Sequence, residues 1–195
     1  MNLKTSERIS EALKFHKKKA PGIYLAVMML ELAEQKFDIQ EKSNYVIETQ
    51  FCIPDPIQIL KGATLGNRYI RHETESGRFA FTVFCRDTKK GLRVYLDAKK
   101  IIREKMPYFY EFYFRCRDLS NLTREEHNKL VIEEIKKLGN EMFSSQEVIV
   151  KLDEKEPMKR TDLCTQCEEV FLLNYENQKI CGECEKGDDS YYTVI

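Results

Sequence analysis

Four of the seven cysteines in this 195-residue chain stand as two CxxC pairs, Cys164-Thr-Gln-Cys167 and Cys181-Gly-Glu-Cys184, separated by thirteen residues. Two residues between sulfurs let each pair form a tight knuckle, and four thiolates can close a tetrahedron around Zn2+ at about 2.3 Å per bond. The pattern reads as a zinc ribbon in which Cys164, Cys167, Cys181 and Cys184 hold one structural zinc ion. The intervening EEVFLLNYENQKI predicts a hairpin, with Val170, Phe171, Leu172 and Leu173 covering one side of the site and 174–178 forming the turn. Two other chemistries share the spacing. One is a pair of redox-active dithiols; the other is iron held by four thiolates, since metal identity follows geometry and availability as well as ligands. The odd cysteine total and the polar start, MNLKTSERIS, point to reduced thiols, metal and a cytoplasmic protein rather than to exported disulfides.

The cysteine pairs lie in an acidic segment. From Asp162 to Asp189 eight acidic residues stand against two lysines, a net of -6, and four thiolates around one divalent ion add to it. Phosphate backbones are bound chiefly through Lys and Arg, so nucleic-acid binding by this segment is disfavoured. The whole chain has 32 Lys+Arg and 32 Asp+Glu, so its formal charge of zero conceals +6 outside the ribbon. That division predicts attraction between the two segments or toward a charged partner. The stretch DEKEPMKR, 153–160, is charged, contains Pro157 and lacks a hydrophobic pattern. It reads as a linker between a body at 1–152 and a ribbon module at 161–195.

The body can form a real core. Hydrophobic residues make up 42% of the chain, against 33% charged. The longest mostly apolar run, Ile23 to Leu30, falls well short of the ~20 residues that cross a bilayer, so no membrane partner is expected. Ile9, Ala12 and Leu13 recur at helical spacing in 5–15, with Thr5 or Ser6 as N-cap. Pro21 opens a second helix to about Gln35, whose first half is apolar all round and predicts burial in a core or subunit interface. A strand is predicted at 44–51. Asp55 before Pro56 then predicts a capped short helix ended by Gly62, and strands follow at 68–73, 78–86 and 92–96. Beyond this, 98–104 reads as helical, the aromatic run at 108–114 as a strand, 124–138 as an amphipathic helix and 147–152 as a last strand. Leu130, Val131, Ile135 and Leu138 are predicted to face inward.

Several residues with functional chemistry have plainer readings. His72 and His127 stand in polar surroundings and read as surface histidines. Cys85 and Cys116 read as small buried hydrophobes in aromatic strands. Gly62 and Gly66 lack the Gly-Lys-Ser/Thr of a phosphate loop and read as a turn. Core or dimer contact is the favoured reading of PYFYEFYF over a stacking surface, and Lys17–Lys19 reads as a solvated loop that would suit an anion.

Two segments carry a family resemblance. F-H-K-K-K-A-P-G (15–22) followed by a hydrophobic helix, and F-C-I-P-D-P-I-Q-I-L-K-G-A-T-L-G-N (51–67), resemble the FmdE family of formylmethanofuran dehydrogenase subunits, whose members often end in a CxxC…CxxC finger. The resemblance covers about 8–97 and the ribbon. It implies an α+β fold, an α-β-α-β-β-β body with a mixed sheet plus the small C-terminal zinc ribbon, which agrees with the order read from periodicity. It also implies a second metal site, mapping onto His16 and Cys52 with Asp55 as a nearby carboxylate. Ala20, Lys18 and Ala63 stand where the family has two cysteines and a histidine, so this site has fewer ligands than the family pattern.

The expected function is that of a zinc-binding accessory protein resembling FmdE, in the company of molybdenum or tungsten oxidoreductase subunits. No catalytic motif for the dehydrogenase reaction is visible. The alternatives are a small metalloprotein with an active or ligand-sensing His/Cys site, and a zinc-ribbon regulator acting through protein contacts. A homodimer is expected, because the apolar helix and the aromatic run offer more hydrophobic surface than a body of ~150 residues readily hides.

Overall fold

The structure, a computed structural model, describes residues 3–41, 43–152 and 159–192. The chain divides into two compact units, Met1–Lys151 and Leu152–Ile195. Of the linker expected at 153–160, only Lys159 and Arg160 lie among the described residues. Among those residues no helix is long and apolar enough to cross a membrane.

The body is organised around the helix that is apolar all round. Helix α1 (Leu3–His16) precedes α2 (Pro21–Lys36), in which every residue from Pro21 to Leu30 is buried. Burying each large aliphatic side chain contributes about 1.5–3 kcal/mol, enough to draw such a helix inside. Polar ties fix its neighbours. Arg8 on α1 reaches Glu31 at 3.2 Å and both oxygens of Glu34 at 2.7 and 2.9 Å. Glu34 also accepts from Lys61 at 3.0 Å, on α3 (Pro54–Lys61). Thr5, predicted to cap α1, lies within it, and its hydroxyl donates to Glu31 at 2.8 Å.

The remaining body elements form a mixed sheet of β1 (Asn44–Ile47), β2 (Ile70–His72), β3 (Ala80–Phe84), β4 (Lys90–Leu96) and β5 (Phe143–Ile149). Its order is β2-β1-β3-β4-β5, with β1 and β2 parallel across the α3 connection and the other pairs antiparallel. All four residues of β1 are buried, as befits a strand with neighbours on both edges. The strand stops at Ile47, short of the predicted Phe51. Gly62 at φ 66° ends α3 in the left-handed region, where a missing Cβ removes the steric cost.

The second half of the body departs most from expectation. The aromatic run is helix α4 (Pro107–Tyr113), not a strand, with Pro107 at its first position and only Phe109 fully buried. The stretch 98–104 supplies a single 3-10 turn, Ala98–Lys100, rather than a helix. Helix α5 (Arg124–Leu138) starts at a capping box between Thr123 and Glu126. Its buried face is His127, Val131, Ile132 and Ile135, while Leu130 and Leu138 are only half-buried.

His127, predicted on the surface, is fully buried. It lies 3.1 Å from Glu111 on α4 and edge-on to Tyr108, with ring centroids 5.7 Å apart. Glu134, also on α5, accepts from the Phe109 and Tyr108 amides at 2.7 and 3.4 Å and so satisfies the start of α4. Helix α4 is thus specified by α5 as much as by its own residues. Cys85 and Cys116 correct the reading of buried hydrophobes: Cys85 is half-buried after β3, and Cys116 is exposed beyond α4.

The C-terminal unit contains a two-stranded antiparallel sheet, β6 (Thr161–Leu163) and β7 (Val170–Leu172), followed by α6 (Gly182–Lys186). The hairpin therefore closes across the first CxxC pair. The expected hairpin between the pairs is replaced by β7 and a loop, because β7 pairs backward with β6.

Candidate metal centre

Each cysteine pair of the ribbon sits at the end of a short element. Cys164 and Cys167 occupy the β6–β7 turn, where the Glu168 amide donates to the Cys164 carbonyl at 3.0 Å and Glu168 adopts φ 60°. Cys181 precedes α6, and Cys184 lies one turn into it. The four Sγ atoms all fall within 4.8 Å of one another, and Cys167 and Cys181 are 3.9 Å apart at sulfur. A tetrahedron with bonds of about 2.3 Å has edges of about 3.8 Å, so this cluster could hold a metal ion.

The backbone favours the thiolate at one of the four sulfurs. The Cys181 amide donates to Cys164 Sγ at 3.3 Å, and hydrogen bonds from the Cys167 and Cys181 amides pull the Cys164 thiol down to about 6. The Cys184 thiol is pushed up, first by desolvation and then by the neighbouring sulfurs. Four thiolates in so small a space repel one another, and a bound cation removes that cost.

Gln178 escaped the sequence reading. It is 1% exposed; its amide oxygen accepts from the Asn174 amide at 2.9 Å and its nitrogen donates to the Ile180 carbonyl at 2.9 Å. These bonds shape the loop that delivers Cys181. A polar residue two positions before an apolar one and three before a cysteine gave no periodic signal. Of the four apolar residues expected over the site, Val170 is 70% exposed and Leu172 58%, while Phe171 and Leu173 are half-buried.

In the body, His16 ends α1 and Asp55 lies in the first turn of α3, and their side chains meet with Nδ1 to Oδ2 at 2.6 Å. Asp55 is not the N-cap expected from sequence: Ile53 holds that position and Pro54 opens the helix. Asp55 instead orients the histidine. With Nδ1 engaged, Nε2 is the nitrogen left for a further ligand. Cys52 stands just before α3 at φ 55°, an uncommon conformation for a residue with a Cβ. Its thiol is pushed up to about 11 by burial and then by the Asp55 charge. It packs on Gly22 in the first turn of α2, where a Cβ would come within 2.7 Å of its sulfur. His16, Cys52 and Asp55 are gathered where α1, α2 and α3 begin or end, yet they do not bring one donor each within 4.8 Å of one another. Ala20 is half-buried, Ala63 buried and Lys18 exposed, and none of these side chains supplies a metal ligand in their place.

The FmdE family model, described as molybdenum formylmethanofuran dehydrogenase operon, matches residues 15–151. The chain belongs to the FmdE family. The match opens one residue before His16 and takes in Cys52, Asp55 and the α4–α5 segment, while the ribbon lies outside it. A probable S-adenosyl-L-methionine-binding protein of Archaeoglobus fulgidus is 26% identical over 211 residues, covering 98% of this chain and 55% of that protein. The chain thus spans about half the length of this curated relative. The crystal structure of a tungsten formylmethanofuran dehydrogenase FmdE-like protein from Syntrophus aciditrophicus shares the fold, with a TM-score of 0.78 at 24% identity over 96% of this chain and 95% of that one. The expected α+β fold, with a mixed five-stranded sheet and a small C-terminal sheet bearing the cysteine cluster, is therefore the fold of an FmdE protein.

Proposed function

We propose that this FmdE-family chain is a zinc protein with an accessory, non-catalytic role beside a molybdenum or tungsten oxidoreductase of the formylmethanofuran dehydrogenase kind. The convergence of Cys164, Cys167, Cys181 and Cys184 within 4.8 Å carries the metal part of this reading. A closed four-thiolate site leaves no open position for substrate, so the zinc there is structural. The operon named in the family description supports the dehydrogenase context. A cytoplasmic homodimer completes the reading.

A second reading rests on the 2.6 Å contact between His16 and Asp55. A carboxylate-oriented histidine with Cys52 nearby suits a catalytic or ligand-sensing ion that keeps an open coordination position. The name of the Archaeoglobus fulgidus relative makes S-adenosylmethionine the first small molecule to titrate against this body.

Metal analysis by plasma mass spectrometry separates the readings. The wild-type chain is expected to carry one zinc ion that Cys164→Ser loses. A second ion lost only in His16→Ala supports the body site; metal content unchanged by His16→Ala overturns it. A wild-type chain purified without metal, and with no zinc affinity on titration, overturns the zinc reading altogether.

A further inference from the structure

The loop joining α1 to α2 carries Lys17, Lys18 and Lys19 in succession. Lys17 closes α1 by donating its amide to the Leu13 carbonyl at 2.9 Å and takes φ 61°, which turns the chain out of the helix. Lys18 and Lys19 follow, and neither has an ion-pair or side-chain hydrogen-bond partner among the described residues. Both line a cleft of about 240 Å³ whose other wall is one face of α5, formed by Glu125, Asn128, Lys129 and Ile132. Those four positions are spaced three, four and seven apart, so they form a single stripe.

The chemistry of this cleft is lopsided. Three lysines line it beside one carboxylate, and the Glu125–Lys129 pair is loose at 4.0 Å with side chains 83% and 57% exposed, so it neutralises little. A concave surface lined by one sign of charge raises the local concentration of the opposite ion. Ile132 is 4% exposed and gives the cleft an apolar floor. The volume lies below the roughly 300–1,000 Å³ of pockets that take drug-sized ligands, which restricts the occupant to a small molecule.

We propose that this cleft binds a small anion, a phosphate or carboxylate on a short carbon skeleton. Lys18, Lys19 and Lys129 take the charge, and Ile132 takes the carbon. The inference is independent of the metal reading, because none of its residues belongs to either cysteine site.

Calorimetric titration of the full metal-loaded chain tests it, at fixed ionic strength, with inorganic phosphate, glycerol 3-phosphate and succinate. The expected result is saturable one-site binding of at least one probe. Lys19→Ala and Lys129→Ala should each weaken it about two- to fivefold and their combination about tenfold. Lys137→Ala, on α5 but outside the cleft, should change it less than twofold. Binding of both phosphates without succinate identifies a phosphoryl ligand, and the reverse identifies a carboxylate. Absence of saturable binding to all three probes overturns the proposal. So does an effect of Lys137→Ala equal to that of Lys129→Ala, or binding confined to a short single-stranded oligonucleotide. Zinc content measured on the same samples keeps a failure here distinct from a failure of the metal reading.

Discussion

His16 Nδ1 and Asp55 Oδ2 lie 2.6 Å apart, joining the last residue of α1 to the first turn of α3 across 39 residues of sequence. Asp55 also raises the Cys52 thiol by its charge, after the larger effect of burial. One carboxylate thus acts on both neighbours, holding a histidine nitrogen and discouraging a thiolate.

The first prediction follows from that double role. Asp55→Asn should weaken any metal bound through His16 about 10- to 100-fold, as loss of an orienting carboxylate does, while leaving any metal at the four-cysteine cluster in place. The Cys52 thiol should titrate below its present value of about 11, since the neighbouring negative charge is gone. Site-resolved alkylation with mass spectrometry across pH 7–11 reads this directly. In the wild type, half-buried Cys85 should label well before Cys52, because hydrogen bonding from the Thr88 amide lowers the Cys85 thiol. Equal labelling of the two thiols at pH 8 would contradict the argument.

Gly22 and Cys52 form a tight backbone-to-sulfur contact. A Cβ at position 22 would meet Cys52 Sγ at 2.7 Å and its Cβ at 2.9 Å, so Gly22→Ala should destabilise the body by about 1–3 kcal/mol. Cys52→Gly removes both the obstructing atoms and the left-handed strain at φ 55°. In that background the cost of Gly22→Ala should largely vanish, a coupling of about 0.5–3 kcal/mol in a urea double-mutant cycle. Additive effects would show that the contact relaxes without cost.

Glu48 should contribute to the acid sensitivity of the body. Arg93 donates to both its oxygens at 2.6 and 2.9 Å, and Arg78 approaches to 2.6 Å. Burial works against the charged carboxylate, but the two guanidiniums outweigh it and hold the group below its ordinary value of 4.5. A depressed folded value means the stabilisation is present above the unfolded value and is lost as pH falls through the folded one. Glu48→Gln should therefore cost about 2 kcal/mol at pH 7 and flatten the stability profile below pH 4.5. Chemical denaturation at pH 3, 4, 5 and 7 measures both effects.

Gln178 should matter to metal retention without touching metal. Gln178→Ala leaves the Asn174 amide and Ile180 carbonyl without their partner, a loss of about 1–3 kcal/mol. Because folding of a small module and binding of metal by its cysteines are linked, the penalty should appear as about 10- to 100-fold weaker affinity for added zinc in a chelator competition. Wild-type affinity in this variant would show that the loop is dispensable.

What the sequence could reveal follows from the range of the forces involved. The apolar run of α2, Pro21 at its start, Gly62 after α3 and the two-residue spacing in each cysteine pair are local features, and the structure keeps all of them. The partners of polar side chains were not legible. The period 127, 131, 135 on α5 held a hint that His127 faces inward, but its partner Glu111 lay in a run read as a strand. A near-continuous aromatic run carries no period that separates a strand from a short helix, and Glu134 decides the matter by capping α4 from another helix.

The sequence by itself determined which four cysteines would cluster in the ribbon, the buried central helix and the order of elements to β4, because covalent spacing and side-chain period suffice for these. Only the tertiary structure decided that Asp55 turns to His16 instead of capping its own helix, that Cys52 rests on Gly22, and that the ribbon hairpin closes across the first cysteine pair. These contacts join residues distant in sequence. Their energies depend on burial and on what else competes for each polar group, and both exist only once the chain has packed.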